Sequence, residues 1–482
     1  MQTLTSEQAK HLLQLCKAGK LFEVQNWIAE GNSISVPAEV KSSPLEVALH
    51  IGFHSLVELL ARNEPSQDVK NRALLLAVCE KRRELIELLV THGADIKAVP
   101  FIEVLRTWEP TIMRYFLDRG SDFVTDRPFL VAFSEKIRTA LRPWRECKDK
   151  YPEFAAELQE QADRALRHFC LKEDLKWTSL LMWVGANARS NGPTLDEEDG
   201  RDEEAYINAL TAASYSENVQ ILKRLRPDAK TDDLDGLLTQ AARVSHSEVV
   251  RYLLGIGASV NDQPNGGSKA LTECLSSGIS HAIFRYQLRS SWYGSSSKAS
   301  KYAIEEAITT IDVLLEWGAR WLPEDSGELN RVRRNLFECE PEVTVEIVER
   351  LLKRSACTPA TVSDLLRTPA IKKHLTAVVR KLRLSGFDVR TVEQKAEDEK
   401  QKERYRELTL RELASRYNRE EIYQRIWSEP IQRVAKSYNI SDVALGKICT
   451  KLRIPRPGRG YWAKRAASKP LAKQPALPPL HS

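Results

Sequence analysis

The sequence predicts an all-α protein, an array of paired helices followed by a small basic helical module. Three observations predict it. Apolar residues recur at three- and four-residue spacing through residues 1–390, with almost none of the alternation a half-buried strand needs. Leu-rich segments end again and again in glycine at related intervals. Cationic residues are concentrated in the last part of the chain: residues 400–482 hold 19 Lys+Arg against 7 Asp+Glu, while residues 1–399 are mildly acidic.

The chain has 482 residues, 42% of them hydrophobic, which fits two to four domains and exceeds one hydrophobic core. It has no run of about 18 apolar residues, so no membrane-spanning helix and no membrane partner are expected. The amphipathic start MQTLTSEQAKHLLQLCKAGK lacks the apolar centre of a signal peptide, and a cytoplasmic protein is expected. Eight scattered cysteines form no CxxC pair and fall mostly in apolar helical contexts. They are expected to be small core residues in a reducing compartment. A basic module on an acidic body points to a polyanion partner for the module alone.

Along the chain, helix after helix closes in a similar way. ELIELLVTHGADI (84–96), TSLLMWVGANA (178–188), EVVRYLLGIGASV (248–260) and IDVLLEWGARW (311–321) each carry a Leu-rich helix and then Gly-Ala. EVQNWIAEGNSI (23–34) and IMRYFLDRGSDF (112–123) are weaker copies. Glycine there is expected as a left-handed helix C-cap. Gly31, Gly93, Gly120, Gly185, Gly257 and Gly318 lie one or two periods of about 33 residues apart, allowing for insertions. The segment SSPLEVALHIGFHSLVELL (42–60) resembles the TPLHxAxxxGHxxxVxxLL pattern of ankyrin repeats, with Ser43, Pro44, Leu45 and Ala48 in matching places. NRALLLAVCEKRRELIELL (71–89) and DGLLTQAARVSHSEVVRYLL (235–254) are similar. The resemblance covers most of residues 5–325 in degenerate copies, and most of these lack the Thr-Pro-Leu-His tetrapeptide. It implies an ankyrin-like solenoid of about eight to ten helix pairs that binds a protein partner.

Within residues 1–325, insertions are expected near 134–170 (an extra helix or arm), 192–205 (an acidic loop) and 280–303 (a polar loop). The acidic loop lacks the ligand spacing of a calcium site. Residues 326–390 read as divergent helix pairs or a C-terminal cap. Residues 391–409, TVEQKAEDEKQKERYRELT, carry dense charge of both signs and read as a linker helix and the domain boundary. Residues 466–482 read as a disordered Pro-rich tail.

Residues 410–465 carry the motif with a chemical reading. In IQRVAKSYNISDVALGKICT (431–450), small Ala435 stands where two short helices must cross, beside apolar Val434. Tyr438, turn-forming Asn439 and anchoring Ile440 follow, then Ser441 as an N-cap, with Leu445 and Ile448 facing inward. Only Asn439 departs from the usual glycine. This is the pattern of a helix-turn-helix. Residues 419–465, with IWSEP before the first helix and PGRGYWAK after the second, closely resemble a helix-turn-helix module that recurs in uncharacterised bacterial proteins. That resemblance implies a bacterial origin and duplex DNA as partner.

From the residues alone, the outward face of the second helix is Ser441, Asp442, Val443, Gly446, Lys447, Thr450 and Lys451. Its first residues are expected at base edges, with Gly446 permitting close approach to a groove wall. Arg453, Arg456, Arg459, Lys464 and Arg465 are expected on phosphates or in the minor groove, on an arm held extended by prolines and glycines. Tyr461 and Trp462 either pack back on the module or stack on a base. No HExxH, GxSxG or Walker A pattern occurs, so neither an enzyme nor a cofactor is expected. His50 and His54 fall in an ankyrin-like turn and helix and are expected to be structural. The expected function is a DNA-binding adaptor or transcriptional regulator. The alternative is an interaction scaffold whose basic tail contacts RNA or an acidic protein.

Overall fold

The computed structural model describes residues 4–37, 39–195, 206–262, 269–289, 301–323, 325–366, 372–390, 392–471 and 473–480. They fall in two compact units, Met1–Val378 and Val379–Ser482. The division lies upstream of the 391–409 segment in which the sequence placed it.

In the first unit the helices come in pairs. α1 (Ser6–Lys17) and α2 (Leu21–Ala29) are followed by α3 (Pro44–Ile51) and α4 (His54–Asn63), then α5 (Gln67–Cys79) and α6 (Arg83–Thr91). Next come α7 (Phe101–Arg106) with α8 (Pro110–Leu117), and α9 (Pro128–Ser134) with α10 (Leu141–Lys150). The pairs α11 (Ala155–Leu171) with α12 (Leu175–Val184), α13 (Ala209–Ser214) with α14 (Val219–Leu225), and α15 (Leu234–Arg243) with α16 (Ser247–Gly255) continue the series. α17 (Ala270–Glu273) passes through a π-helical turn at Cys274–Gly278 into α18 (Ile279–Arg289). After these come α19 (Glu305–Glu316), α20 (Ser326–Glu338), α21 (Pro341–Lys353) and α22 (Pro359–Leu365).

Each odd-numbered helix from α1 to α17 packs on the next odd one. The even-numbered helices form a second layer, in which α2 to α6 and α8 to α16 touch in sequence, and α16 then meets α19. The fold is an all-α solenoid of stacked helix pairs. An isolated β-bridge joins Gly192 and Ile207. No described helix is long and apolar enough to cross a membrane.

Local chemistry accounts for the repeated shape. At the start of α3, Ser43 and Glu46 form a reciprocal capping box and Pro44 occupies the first turn. All six glycines singled out by their spacing, from Gly31 to Gly318, have positive φ, between 77° and 112°. A second left-handed series sits inside the pairs, in the turn between first and second helix: Gly19, Gly52, Lys81, Trp108, Lys136, Glu173 and Ser245. Only its first two members are glycines, which is why the sequence hides it.

Of the two alternatives for residues 134–170, a helix or an arm, the structure has helices. They are no projecting arm, because α10 is a second-layer helix and α11 a lengthened first-layer helix. Trp144 is fully buried there, and its Nε1 donates to the Leu158 carbonyl at 2.8 Å. Arg167 of α11 is also fully buried. Its Nε donates to Pro193 O at 3.0 Å, its Nη1 to Ser190 O at 3.1 Å, and its Nη2 pairs with Glu160. An added Cβ on Gly192 would lie 2.4 Å from the guanidinium, so glycine is required for this grip. Of the other expected insertions, residues 196–205 and 290–300 lie outside the described residues.

The cysteines show the same core logic. Cys79 is exposed and the other seven are buried. Burial pushes the thiols of Cys16, Cys147, Cys170, Cys274 and Cys357 up to about 12. A thiol-disulfide reagent is therefore expected to titrate Cys79 alone in the native chain and all eight thiols in denaturant. Burial also raises Cys79 above its ordinary value of 9.0, so its labelling rate should still climb above that pH. Fast labelling of several thiols under native conditions would contradict this packing.

In the second unit, α23 (Lys372–Leu384) begins before the division and α24 (Val392–Arg416) follows. The charged segment is thus one 25-residue helix, which runs beyond the expected linker to Arg416. α25 (Arg419–Ser428), α26 (Ile431–Ser437), α27 (Asp442–Lys451) and α28 (Tyr461–Ala466) complete the chain.

Candidate nucleic-acid interface

α25, α26 and α27 close around a small core of Ile422, Tyr423, Ile426 and Trp427 from α25, Val434 and Ala435 from α26, and Leu445 and Cys449 from α27. Ala435 is 1% exposed where α26 packs on α27. A larger side chain there would push the two helices apart. Ile440 and Ile448 pack against this core from its edge.

The connection between α26 and α27 is tight and well satisfied. Asn439 adopts φ 56°, the left-handed value expected of it. Asn439 N donates to Lys436 O at 3.1 Å and Ile440 N to Ala435 O at 3.1 Å, which closes the end of α26. Ser441 Oγ then accepts from Ala444 N at 3.1 Å as the N-cap of α27, a contact typically worth about 1 kcal/mol. Tyr438 completes the corner: its hydroxyl hydrogen-bonds Glu421 at 3.2 Å, and its ring meets Tyr417 edge-on at 5.6 Å.

This packing leaves one face of α27 open. Ser441, Asp442, Val443, Lys447, Thr450 and Lys451 are exposed, Val443 at 64%. Asp442, Val443, Lys447, Thr450 and Lys451 line one shallow groove together with Gly446, Arg456 and Ile431. Ile431 was missed in the sequence because its apolar character and its place at the start of α26 read as core alone.

Gly446 differs from expectation. It is buried, and a Cβ there would lie 2.6 Å from Arg456 Nη1, so the glycine seats the Arg456 side chain against α27. Thr450 Oγ1 donates back to Gly446 O at 3.0 Å, and Arg456 Nη2 reaches that hydroxyl at 3.5 Å.

The arm after α27 is only partly extended. Leu452 and Ile454 are buried, and Trp427 Nε1 donates to Pro455 O at 2.9 Å. At Gly460 (φ 78°) the chain turns into α28, where an extended arm was expected. Tyr461 supplies the reason, meeting Trp427 edge-on at 5.2 Å, and Trp462 in turn packs edge-on to Tyr461 at 5.2 Å. The Tyr461 ring therefore packs back on the module, while the Trp462 ring lies beside Tyr461 and under the Arg465 guanidinium of its own helix. Arg465 Nη1 donates to Trp427 O at 3.1 Å and Ser428 O at 3.3 Å, anchoring α28 to the end of α25 and not reaching outward as expected. Arg453, Arg459 and Lys464 are exposed on the same segment.

The Pro-rich tail, expected to be disordered, is held in its described part. Arg419 donates to Pro478 O, Tyr423 donates through its hydroxyl to Pro475 O, and Leu477 and Leu480 pack on the core. Composition masks this docking, because prolines satisfy their surroundings through carbonyls and ring faces.

No family model matches the chain, and no curated protein matches it. Two solved structures with detectable likeness are ankyrin repeat domains. The domain of human ASB11 is 16% identical with a TM-score of 0.24, over 54% of this chain and 89% of that one. The domain of Bcl-3 is 16% identical with a TM-score of 0.25, over 54% and 91%. The stacking of α1 to α17 rests on the contacts of this chain itself.

Proposed function

We propose that the chain is a DNA-binding adaptor or regulator whose second unit carries a helix-turn-helix, with α27 as the helix that enters the major groove. The carrying observation is the left-handed Asn439 between crossing helices, which leaves Lys447, Thr450, Lys451 and Arg456 on one open face. The capped N-terminus of α27 faces the same side, where backbone N–H groups favour phosphate oxygens. The stacked helix pairs of the first unit, ankyrin-like in their sequence pattern, supply a surface for a protein partner.

The full chain is expected to retard duplex DNA in a gel, with affinity that falls steeply as salt rises. Absence of any shift at low salt would reject the DNA reading. Lys447→Ala is expected to narrow the gap between selected and random duplexes. Arg465→Ala is expected to weaken both alike, by loosening α28. Equal losses on both duplexes for Lys447→Ala would remove α27 as the reading helix.

A further inference from the structure

The second layer of the first unit carries a groove of about 800 Å³ spanning α8, α10, α12 and α14. Its floor is apolar, built from Leu117, Leu141, Pro143 and Leu180. Trp183 stands at one side with 64% of its surface in solvent, which is unusual for an indole. Around this floor lie five cations, Arg114, Arg138, Arg142, Lys176 and Arg224, and one carboxylate, Glu146. Arg114 pairs with Glu146 at 3.2 Å. The other four have no ion pair or hydrogen-bonded side-chain partner among the described residues. Thr139 Oγ1 is also buried in the lining without a partner.

We propose that this groove docks an acidic peptide segment of a partner protein that presents an apolar side chain between carboxylates. The proposal rests on the reading of the first unit as a protein-binding array and names its surface and partner chemistry. Charge complementarity selects the occupant. Clustered cations repel one another, and an anionic ligand relieves that repulsion. The apolar floor and exposed indole require more than charge, because a duplex keeps its bases stacked inside and turns phosphates outward, with no apolar side chain to seat on them. A peptide presents both, and the volume fits a few side chains. Its apolar residue would lie against Trp183 and Leu180 while its carboxylates pair with Arg138, Arg142, Lys176 and Arg224.

The test uses the full chain and a fluorescein-labelled short peptide of Asp and Glu around a central Leu-Phe, followed by anisotropy at low salt. Saturable binding is expected, weakened about tenfold by Arg142→Glu with Lys176→Glu and severalfold by Trp183→Ala. Replacing Leu-Phe by Ser-Ser in the peptide should weaken binding to a similar degree. All three altered residues are exposed, so melting curves should be unchanged. The proposal is overturned by no binding, by binding indifferent to the groove variants, or by loss only on charge reversal at Lys447, Lys451 and Arg456. Equally strong displacement by duplex DNA or phosphatidylserine vesicles would overturn it in favour of a general polyanion site. The groove variants should still retard duplex DNA, so a failed DNA shift and a failed peptide titration remain separate results.

Discussion

Arg167→Met in the full chain is expected to raise amide exchange at Gly192 and Ile207 about a hundredfold and to lower stability by roughly 3 kcal/mol. Arg167 is fully buried and donates to the Pro193 and Ser190 carbonyls. Methionine fills much of the volume but offers no donor, so both carbonyls lose their buried partner. The Glu160 leg contributes less, because that carboxylate is 44% exposed and water takes over its lost bond. The two amides report the damage directly, since Gly192 N and Ile207 N donate to each other's carbonyls at 3.1 and 3.3 Å. Arg167→Lys should fall between, since an ammonium reaches one carbonyl and lacks the guanidinium fork. Exchange at these amides matching the unaltered chain would show that the clamp is dispensable.

Reversing Lys447, Lys451 and Arg456 together to Glu is expected to weaken duplex binding by at least about a hundredfold near physiological salt. Each residue lies on the groove beside α27 and each is exposed, so the substitution changes charge more than packing. With Lys451 and Arg456 on phosphates and Lys447 on a base edge, the slope of log affinity against log salt should become shallower by about two. A binding curve and slope equal to those of the unaltered chain would place the DNA contact elsewhere. Arg456 is the least innocent of the three, since its guanidinium covers Gly446. An Arg456→Ala control separates that packing role from its charge.

Much of this structure is legible in the sequence where one residue type has a single physical use. The glycines from Gly31 to Gly318 mark helix ends because the left-handed conformation strains other residues. Ala435, Asn439 and Ser441 behave in the same way, being respectively small, left-handed and capping. The hidden parts are those where tertiary packing overrides the local signal. Lys81, Lys136 and Glu173 hold left-handed turns that no propensity assigns to them. Arg465 looks like a phosphate ligand by charge, yet the free carbonyls at the end of α25 hold its guanidinium. The basic groove on the second layer was invisible because its cations come from four helices and the turn before α10, scattered between Arg114 and Arg224. The prolines of the tail carried no hint of the contacts made at Pro475 and Pro478.

The stacking of pair upon pair has a mechanical consequence. Contacts from α1 to α16 run mainly from each pair to the next, so the interfaces act as springs in series. Small rotations at successive interfaces add, and the compliance of the array grows with the number of pairs. A ligand seated across α8, α10, α12 and α14 would bridge neighbouring springs and stiffen that stretch. Occupancy would then be felt as lost elasticity along the stack, with no need for any single pair to change its shape.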